Sequence, residues 1–177
     1  MPTCPLSSPA SRGLHVPVCR VVIMSVTITR ALAADHRLLR GVFAQMEDAL
    51  PGVRRVALVR SLARQVQALL GLHGQVEEDL VLIALGRVPE RKAWCRTFFR
   101  QHQEIDHNLT EVLRTKELAS AKRLLKHALQ YSRRHFTFEE RKVFPLWEEW
   151  IDRALLAKLG RVWRHRRALP VLAAAVR

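Results

Sequence analysis

The sequence predicts an all-α protein, and three observations support that prediction. Only 7 of the 177 residues are glycine, whereas apolar residues make up 49% of the chain. Long segments carry apolar residues at the three- and four-residue spacing of a buried helix face. Short breaks containing proline or glycine separate these segments. Four such segments with short connections predict an up-down-up-down four-helix bundle, and the chain is long enough to enclose a sizeable core.

The chain divides into three predicted parts. Residues 1–23 contain four prolines and lack the continuous apolar stretch of a secretory signal, so we expect a disordered leader. Periodicity begins near Met24, which is therefore a candidate for the native start. The bundle is predicted over residues 25–150, and a basic helical extension over residues 151–177.

Each predicted helix has one apolar face and ends at a recognisable break. Pro51 and Gly52 separate the first two helices, and Gly86 is a candidate C-cap for the second. The first three predicted spans are roughly 27–50, 53–85 and 91–115. The fourth helix begins near Leu118, and Pro145 should kink or restart it. A further helical segment is predicted to end at Gly160.

Charge and cysteine content limit the classes of protein. The net charge is +14, from 30 basic and 16 acidic residues, and this excess would assist binding to nucleic acid or an anionic membrane surface. The three cysteines include no C-x-x-C pair, which excludes a disulfide framework and a thiolate zinc site and predicts a cytoplasmic protein. No apolar run is long enough for a membrane span. Cys95, beside Trp94, is predicted to be a buried structural thiol.

Each of the four predicted helices carries one histidine within its apolar face. Residues four apart lie about 40° apart around a helix and about 6 Å apart along it, so their side chains point into one volume. Three of the histidines are followed by a carboxylate at this spacing. The histidines are His36, His73, His102 and His135, and the carboxylates are Glu77, Asp106 and Glu139.

The complete set indicates metal binding more strongly than any single member. One histidine on an apolar face is usually a hydrogen-bonded core residue, and one His–Glu pair is ordinary on a helix surface. A bundle that buries four imidazoles and two or three carboxylates is costly unless cations neutralise them. Four histidines and two glutamates are too many for one tetrahedral zinc, but they fit two metals bridged by two carboxylates.

The sequence resembles the hemerythrin family, in particular the bacterial HHE cation-binding domains. The resemblance covers about residues 25–150 and implies a non-haem di-iron centre in a four-helix bundle. It implies that Glu77 and Glu139 bridge two iron ions and that the four histidines are terminal ligands. The matching segments are "ADHRLLR" (34–40), "HGQVEEDL" (73–80), "QHQEIDHNL" (101–109) and "HFTFEERKVFP" (135–145).

The third segment departs from the family pattern. Oxygen-carrying hemerythrins place a second histidine four residues after the first, where this chain has Asp106. His107 comes one residue late, about 140° around the helix from His102, and is predicted to be a surface residue. The resemblance therefore does not extend to reversible O2 carriage. Asp106 could ligate a metal, hydrogen-bond a ligand or pair with arginine, and Tyr131 could be a hydrogen-bond donor near the metals or an ordinary core aromatic.

The leading functional prediction is a hemerythrin-like di-iron protein. Such a protein would act in a stress response, either by binding or sensing O2, NO or peroxide or by handling iron. The residues do not decide whether it also turns over peroxide or NO. The alternative is a basic module that docks on nucleic acid or an anionic membrane through "KLGRVWRHRRAL" (158–169). A third reading is a structural bundle whose histidines are core residues, and the metal content of the purified protein separates the three.

Overall fold

The computed structural model describes the backbone of residues 26–85 and 92–175 and the side chains of residues 26–80 and 94–165. Three predictions therefore lie outside the described residues: the leader at 1–23, the start at Met24 and the C-cap at Gly86. The described residues form helices joined by short turns, with no strand among them.

The first four helices agree with the predicted spans to within about three residues, as expected for boundaries that fray. Each has the apolar stripe of a helix that packs on one side. A short 3₁₀ turn, Leu50–Gly52, follows the first helix and contains the predicted break. The helices are α1 (Ile28–Ala49), α2 (Val56–Leu85), α3 (Lys92–Arg114) and α4 (Leu118–Phe138).

Two apolar cores show that successive helices run in opposite directions. The lower core joins the second half of α1 and α3 to the first half of α2 and α4, as represented by Phe43, Val66, Leu109 and Leu125. The upper core joins the opposite ends, as represented by Leu32, Leu80, Phe98 and Trp147. Only alternating chain directions place these halves side by side, which confirms the up-down-up-down bundle.

The end of α4 is reshaped by a proline, as the sequence predicted. Pro145 has no backbone N–H and cannot continue the α-helical hydrogen-bond ladder. Residues Glu139–Val143 form one wide π turn, in which Phe144 donates its backbone N–H to the Glu139 carbonyl oxygen. The chain restarts as α5 (Phe144–Trp150), with Pro145 in its first turn.

The prediction that a helix ends at Gly160 is wrong. The chain breaks earlier, and Asp152 caps a new helix, α6 (Arg153–Ala175), by accepting backbone N–H groups of Ala154 and Leu155 at 2.8 and 3.2 Å. Gly160 lies inside α6 where this helix crosses the start of α1. A Cβ there would overlap the carbonyl oxygen of Val26 and lie 2.9 Å from the carbonyl carbon of Thr27. Glycine is present because of this close crossing and does not terminate the helix.

The C-terminal extension packs against the bundle. Trp163 is buried in the upper core, whereas Lys158, Arg161 and Arg164 are exposed. Cys95 is buried in the same core, as predicted. In the part of the chain that the structure describes, no helix is long and apolar enough to cross a membrane.

Candidate metal centre

A polar layer separates the two apolar cores. It contains the histidine of each bundle helix and two of the predicted carboxylates, because each lies in its helix's apolar stripe between residues of the two cores. Glu77 and Glu139 are completely buried, and the histidines are buried or nearly so. Burial of this many titratable groups in one layer requires strong mutual compensation.

Six side chains form two groups that have both glutamates in common. Within each group, one ligand-type atom per residue lies within 4.8 Å of the others. The first group contains His36 and His73, and the second contains His102 and His135. Two adjacent sets of two imidazoles with two shared carboxylates are the arrangement needed for a pair of bridged cations.

All four imidazoles direct Nε2 towards the interior of the layer. The Nε2 atoms of His36 and His73 are 2.9 Å apart, and those of His102 and His135 are 2.8 Å apart. In α2 and at the end of α4, the i, i+4 spacing places a histidine next to a glutamate. His73 Nε2 lies 2.9 Å from Glu77 Oε1, and His135 Nε2 lies 3.1 Å from Glu139 Oε1.

Each glutamate lies near histidines of both groups. Glu77 lies 3.5 Å from His36 Nε2 through Oε1 and 3.7 Å from His102 Nε2 through Oε2. Glu139 lies 3.3 Å from His36 Nε2 through Oε2 and 3.9 Å from His102 Nε2 through Oε1. Each carboxylate therefore presents oxygens to both groups, as a bridge must.

The carboxylate oxygens of the layer lack the partners that burial demands. None of the four oxygens of Glu77 and Glu139 has a hydrogen bond of acceptable geometry, although imidazole nitrogens lie close by. A buried acceptor without a partner is costly. Four such oxygens facing four imidazole nitrogens fit the donor set of two metal cations.

A closed ring of contacts orients the imidazoles. Each Nδ1 contacts an oxygen acceptor from the preceding helix of the bundle, and the ring closes from the end of α4 back to α1. An Nδ1–H that donates to such an acceptor leaves Nε2 with its lone pair free for a metal. The four contacts are Asp35 with His73 at 3.3 Å, Glu78 with His102 at 2.9 Å, Gln101 with His135 at 2.9 Å and Glu140 with His36 at 2.9 Å.

Sequence reasoning missed most of this ring. The sequence alone predicts that Glu78 and Glu140 are solvated partners of arginine, because each follows a candidate bridging glutamate. Only Glu140 agrees in part with this prediction, since Arg40 donates to it at 2.7 and 3.0 Å. The sequence leaves two interpretations of Asp35, a residue of the helix surface or one beside a ligand, and the structure places it beside His73. A signal was available, because each ring acceptor is the sequence neighbour of a candidate ligand.

The protonation of the layer is strongly perturbed. Burial disfavours the charged imidazole, but the Glu77 carboxylate and the hydrogen bond with Asp35 outweigh it and raise the pKa of His73 to about 10. Burial is likewise outweighed at His102, where Glu139 and Glu77 raise the pKa to about 9. Burial would raise the pKa of Glu139, yet the neighbouring imidazoles, led by His135, hold it well below its usual range. Without metal, protons on the imidazoles supply the positive charge that balances the carboxylates.

Aromatic rings enclose much of the layer. Phe136 stacks on His36 at 4.3 Å between ring centroids, and Phe144 stacks on it at 5.5 Å. Phe98 lies 4.3 Å from the His102 ring, and Trp163 of α6 lies edge-on to His73 at 6.1 Å. These rings exclude water from the sides that they cover.

A cavity of about 190 Å³ approaches the layer between α2 and α3. Glu77 and His135 lie at its buried end, and the exposed Asp106 lies at its outer end. Gly71 and Gly74 line it without side chains, and a Cβ on Gly74 would lie 3.4 Å from His102 Cε1.

Three further residues discussed from the sequence lie outside the six-residue layer. Asp106 lines the cavity, where burial raises the pKa of its carboxyl group against the opposing charge of His102. Tyr131 packs against the lower core, with its ring 6.2 Å from His127 and the Arg134 guanidinium 5.2 Å from its centre. His107 is exposed. No hydrogen bond among the described residues joins Asp106 or Tyr131 to the layer.

The bundle and its layer define a class of helical protein with a core site suited to metal cations. The chain matches the family model for the hemerythrin HHE cation binding domain over residues 27–147. It therefore belongs to the hemerythrin HHE cation-binding family, which confirms the resemblance seen in the sequence. No curated protein and no solved structure gave a match.

Proposed function

We propose that the protein holds two non-haem iron ions per chain in the polar layer. Glu77 and Glu139 would bridge the ions, with His36 and His73 on one ion and the remaining two histidines on the other. The observation that carries this proposal is the pair of His/Glu groups with two glutamates in common, whose four buried oxygens make no hydrogen bond of acceptable geometry. Imidazole and carboxylate together suit iron, and the family is one of cation-binding domains.

The function that fits this centre is binding or sensing of O2, NO or peroxide, or the handling of iron. Two histidines and two shared carboxylates would leave each ion with few protein ligands and therefore accessible to a small molecule. The cavity between α2 and α3 supplies a path of suitable size to both histidines of the second group and to His73 of the first. When bound, iron would supply the redox chemistry, and the chain supplies oriented imidazoles, fixed negative charge and a largely water-excluding wall.

Metal analysis of the purified chain tests the proposal. Anaerobic reconstitution with ferrous iron should give about two iron ions per chain, and addition of O2, NO or peroxide should change the optical spectrum. No bound iron, or one tightly bound zinc, would contradict it. The alternative of a docking helix is weakened because Trp163, the aromatic of the basic segment, is buried in the upper core and cannot stack on a nucleic acid base.

A further inference from the structure

The cavity between α2 and α3 differs in charge from the rest of the molecule. The chain as a whole carries a net charge of +14, which repels cations at long range. The outer end of the cavity instead carries two carboxylates, Asp106 and Glu78. Glu78 is engaged with His102 Nδ1 at 2.9 Å, whereas no hydrogen bond of Asp106 is seen among the described residues. A cation near this opening therefore meets local negative charge.

The same cavity ends at groups that require a cation. Glu77 lines its inner end, and this side chain is completely buried with neither carboxylate oxygen hydrogen-bonded. An acidic opening and a buried carboxylate that makes no hydrogen bond are independent features, and one continuous space joins them. Aromatic rings cover other sides of the layer: Phe136 stacks on His36, and Phe98 packs on His102.

We propose that this cavity is the route by which ferrous iron enters the layer, and that Asp106 is a positioning residue that captures the ion at the opening. This inference rests on the proposed function. Asp106 raises the local concentration of the cation, and Glu77 then receives it from the inner end. In this transfer the ion exchanges water for carboxylate and imidazole ligands, and the protons that the imidazoles carry in the metal-free protein are released to solvent.

Two glycines line the route, and one of them offers a position at which a side chain can be added to test it. Gly71 lines the cavity, and a Cβ placed on it meets nothing within 4 Å. A larger side chain at this position can therefore enter free space without displacing a ligand. Gly74 is unsuitable for such a test, because its Cβ would press on His102.

The experiment measures the rate of iron uptake separately from the final iron content. Metal-free protein is mixed anaerobically with ferrous iron, samples are quenched with a chelator and desalted, and protein-bound iron is counted over time. Asp106→Asn should slow uptake by roughly 3- to 10-fold at low ionic strength, with a smaller effect at high salt. Its final iron content and melting temperature should equal those of the wild type. Gly71→Leu should slow uptake at every salt concentration.

Glu104→Gln is the matched control, because Glu104 is exposed on the same helix two residues away and does not line the cavity. It should load at the wild-type rate. Wild-type loading rates in both Asp106→Asn and Gly71→Leu would overturn the route. A final content of one iron in Asp106→Asn would overturn the capture role and make Asp106 a ligand. Failure of the proposed function is distinguishable, because the wild type itself would then retain no iron.

Discussion

Replacing Glu139 with alanine should both lower the iron content and destabilise the fold. The Glu139 side chain is completely buried and lies within 4 Å of three imidazoles, at 3.1 Å from His135, 3.3 Å from His36 and 3.9 Å from His102. In the metal-free protein, its loss leaves protonated imidazoles buried beside a single carboxylate. Breaking a buried ion pair in this way costs about 3–5 kcal/mol.

The melting temperature provides the assay for this cost. For a chain of this length, 1 kcal/mol corresponds to about 2–4 °C, so Glu139→Ala should lower the melting temperature of the metal-free protein by roughly 6–20 °C. Iron content should fall to one ion per chain or fewer, because two cations would no longer have the second shared carboxylate between them. The difference should be larger after iron loading, since metal binding stabilises only the folded state.

Two controls separate the bridge from general effects of substitution. Glu149→Ala removes an exposed glutamate from α5, and His107→Ala removes an exposed histidine from α3. Both should retain two iron ions and the wild-type melting temperature. If the alanine variant of Glu139 does not fold, Glu139→Gln keeps the shape of the side chain and removes its charge. Equal iron content in the wild type and both Glu139 variants would refute the bridging role.

Two further predictions concern stability. Gly160→Ala should lower the free energy of unfolding by about 1–3 kcal/mol, because the added Cβ would overpack against Val26. Gly41→Ala should instead raise it by up to about 1 kcal/mol, because a Cβ there meets nothing within 4 Å and alanine favours the helix. Chemical denaturation should show these opposite signs. The pKa of His73 is about 10 in the folded metal-free protein and 6.5 ordinarily, so its stabilising contribution is complete below pH 6.5 and is lost as pH rises towards 10. Melting temperatures of the metal-free protein should fall across that range, and a rise would contradict the assigned balance of charge.

The features that the sequence predicted correctly depend on local spacing. The apolar stripes of α1 to α4 follow from the helical period, and the same period places His73 beside Glu77 and His135 beside Glu139. The short turns restrict the bundle to alternating directions. Such features need no knowledge of how one helix is rotated against another. The same spacing also selected Asp106, which lies outside the layer, and it was the resemblance to the hemerythrin family that singled out Glu77 and Glu139.

The features that the sequence did not predict depend on neighbouring helices. Glu78 can be singled out in the sequence as the neighbour of Glu77, but its contact with His102 joins α2 to α3, and no spacing within either helix predicts that partner. Gly160 was misread for a related reason, because a local C-cap signal was overridden by the crossing of α6 over α1. The Asp152 cap was visible in the sequence and would have located the start of α6 correctly.

The ring of acceptors makes the two proposed metal positions unequal, although each has two histidines and the same two glutamates. The first pair of imidazoles is held by carboxylates, Glu140 at His36 and Asp35 at His73. In the second pair, the acceptor at His135 is the neutral amide of Gln101. A carboxylate increases the basicity of the imidazole it contacts more than an amide does, so the first position offers the stronger donors.

The two proposed metal positions also differ in their access to solvent. Both histidines of the second pair line the cavity between α2 and α3, whereas in the first pair only His73 does. Phe136 and Phe144 stack on His36, and Trp163 lies against another side of His73. A metal at the first position would be held by two imidazoles that contact carboxylates, one of them behind aromatic rings. A metal at the second would have one imidazole, His135, that contacts only an amide, and both of its imidazoles would lie at the end of a path from solvent. The second position is therefore the one at which a small ligand would bind and from which iron would exchange first.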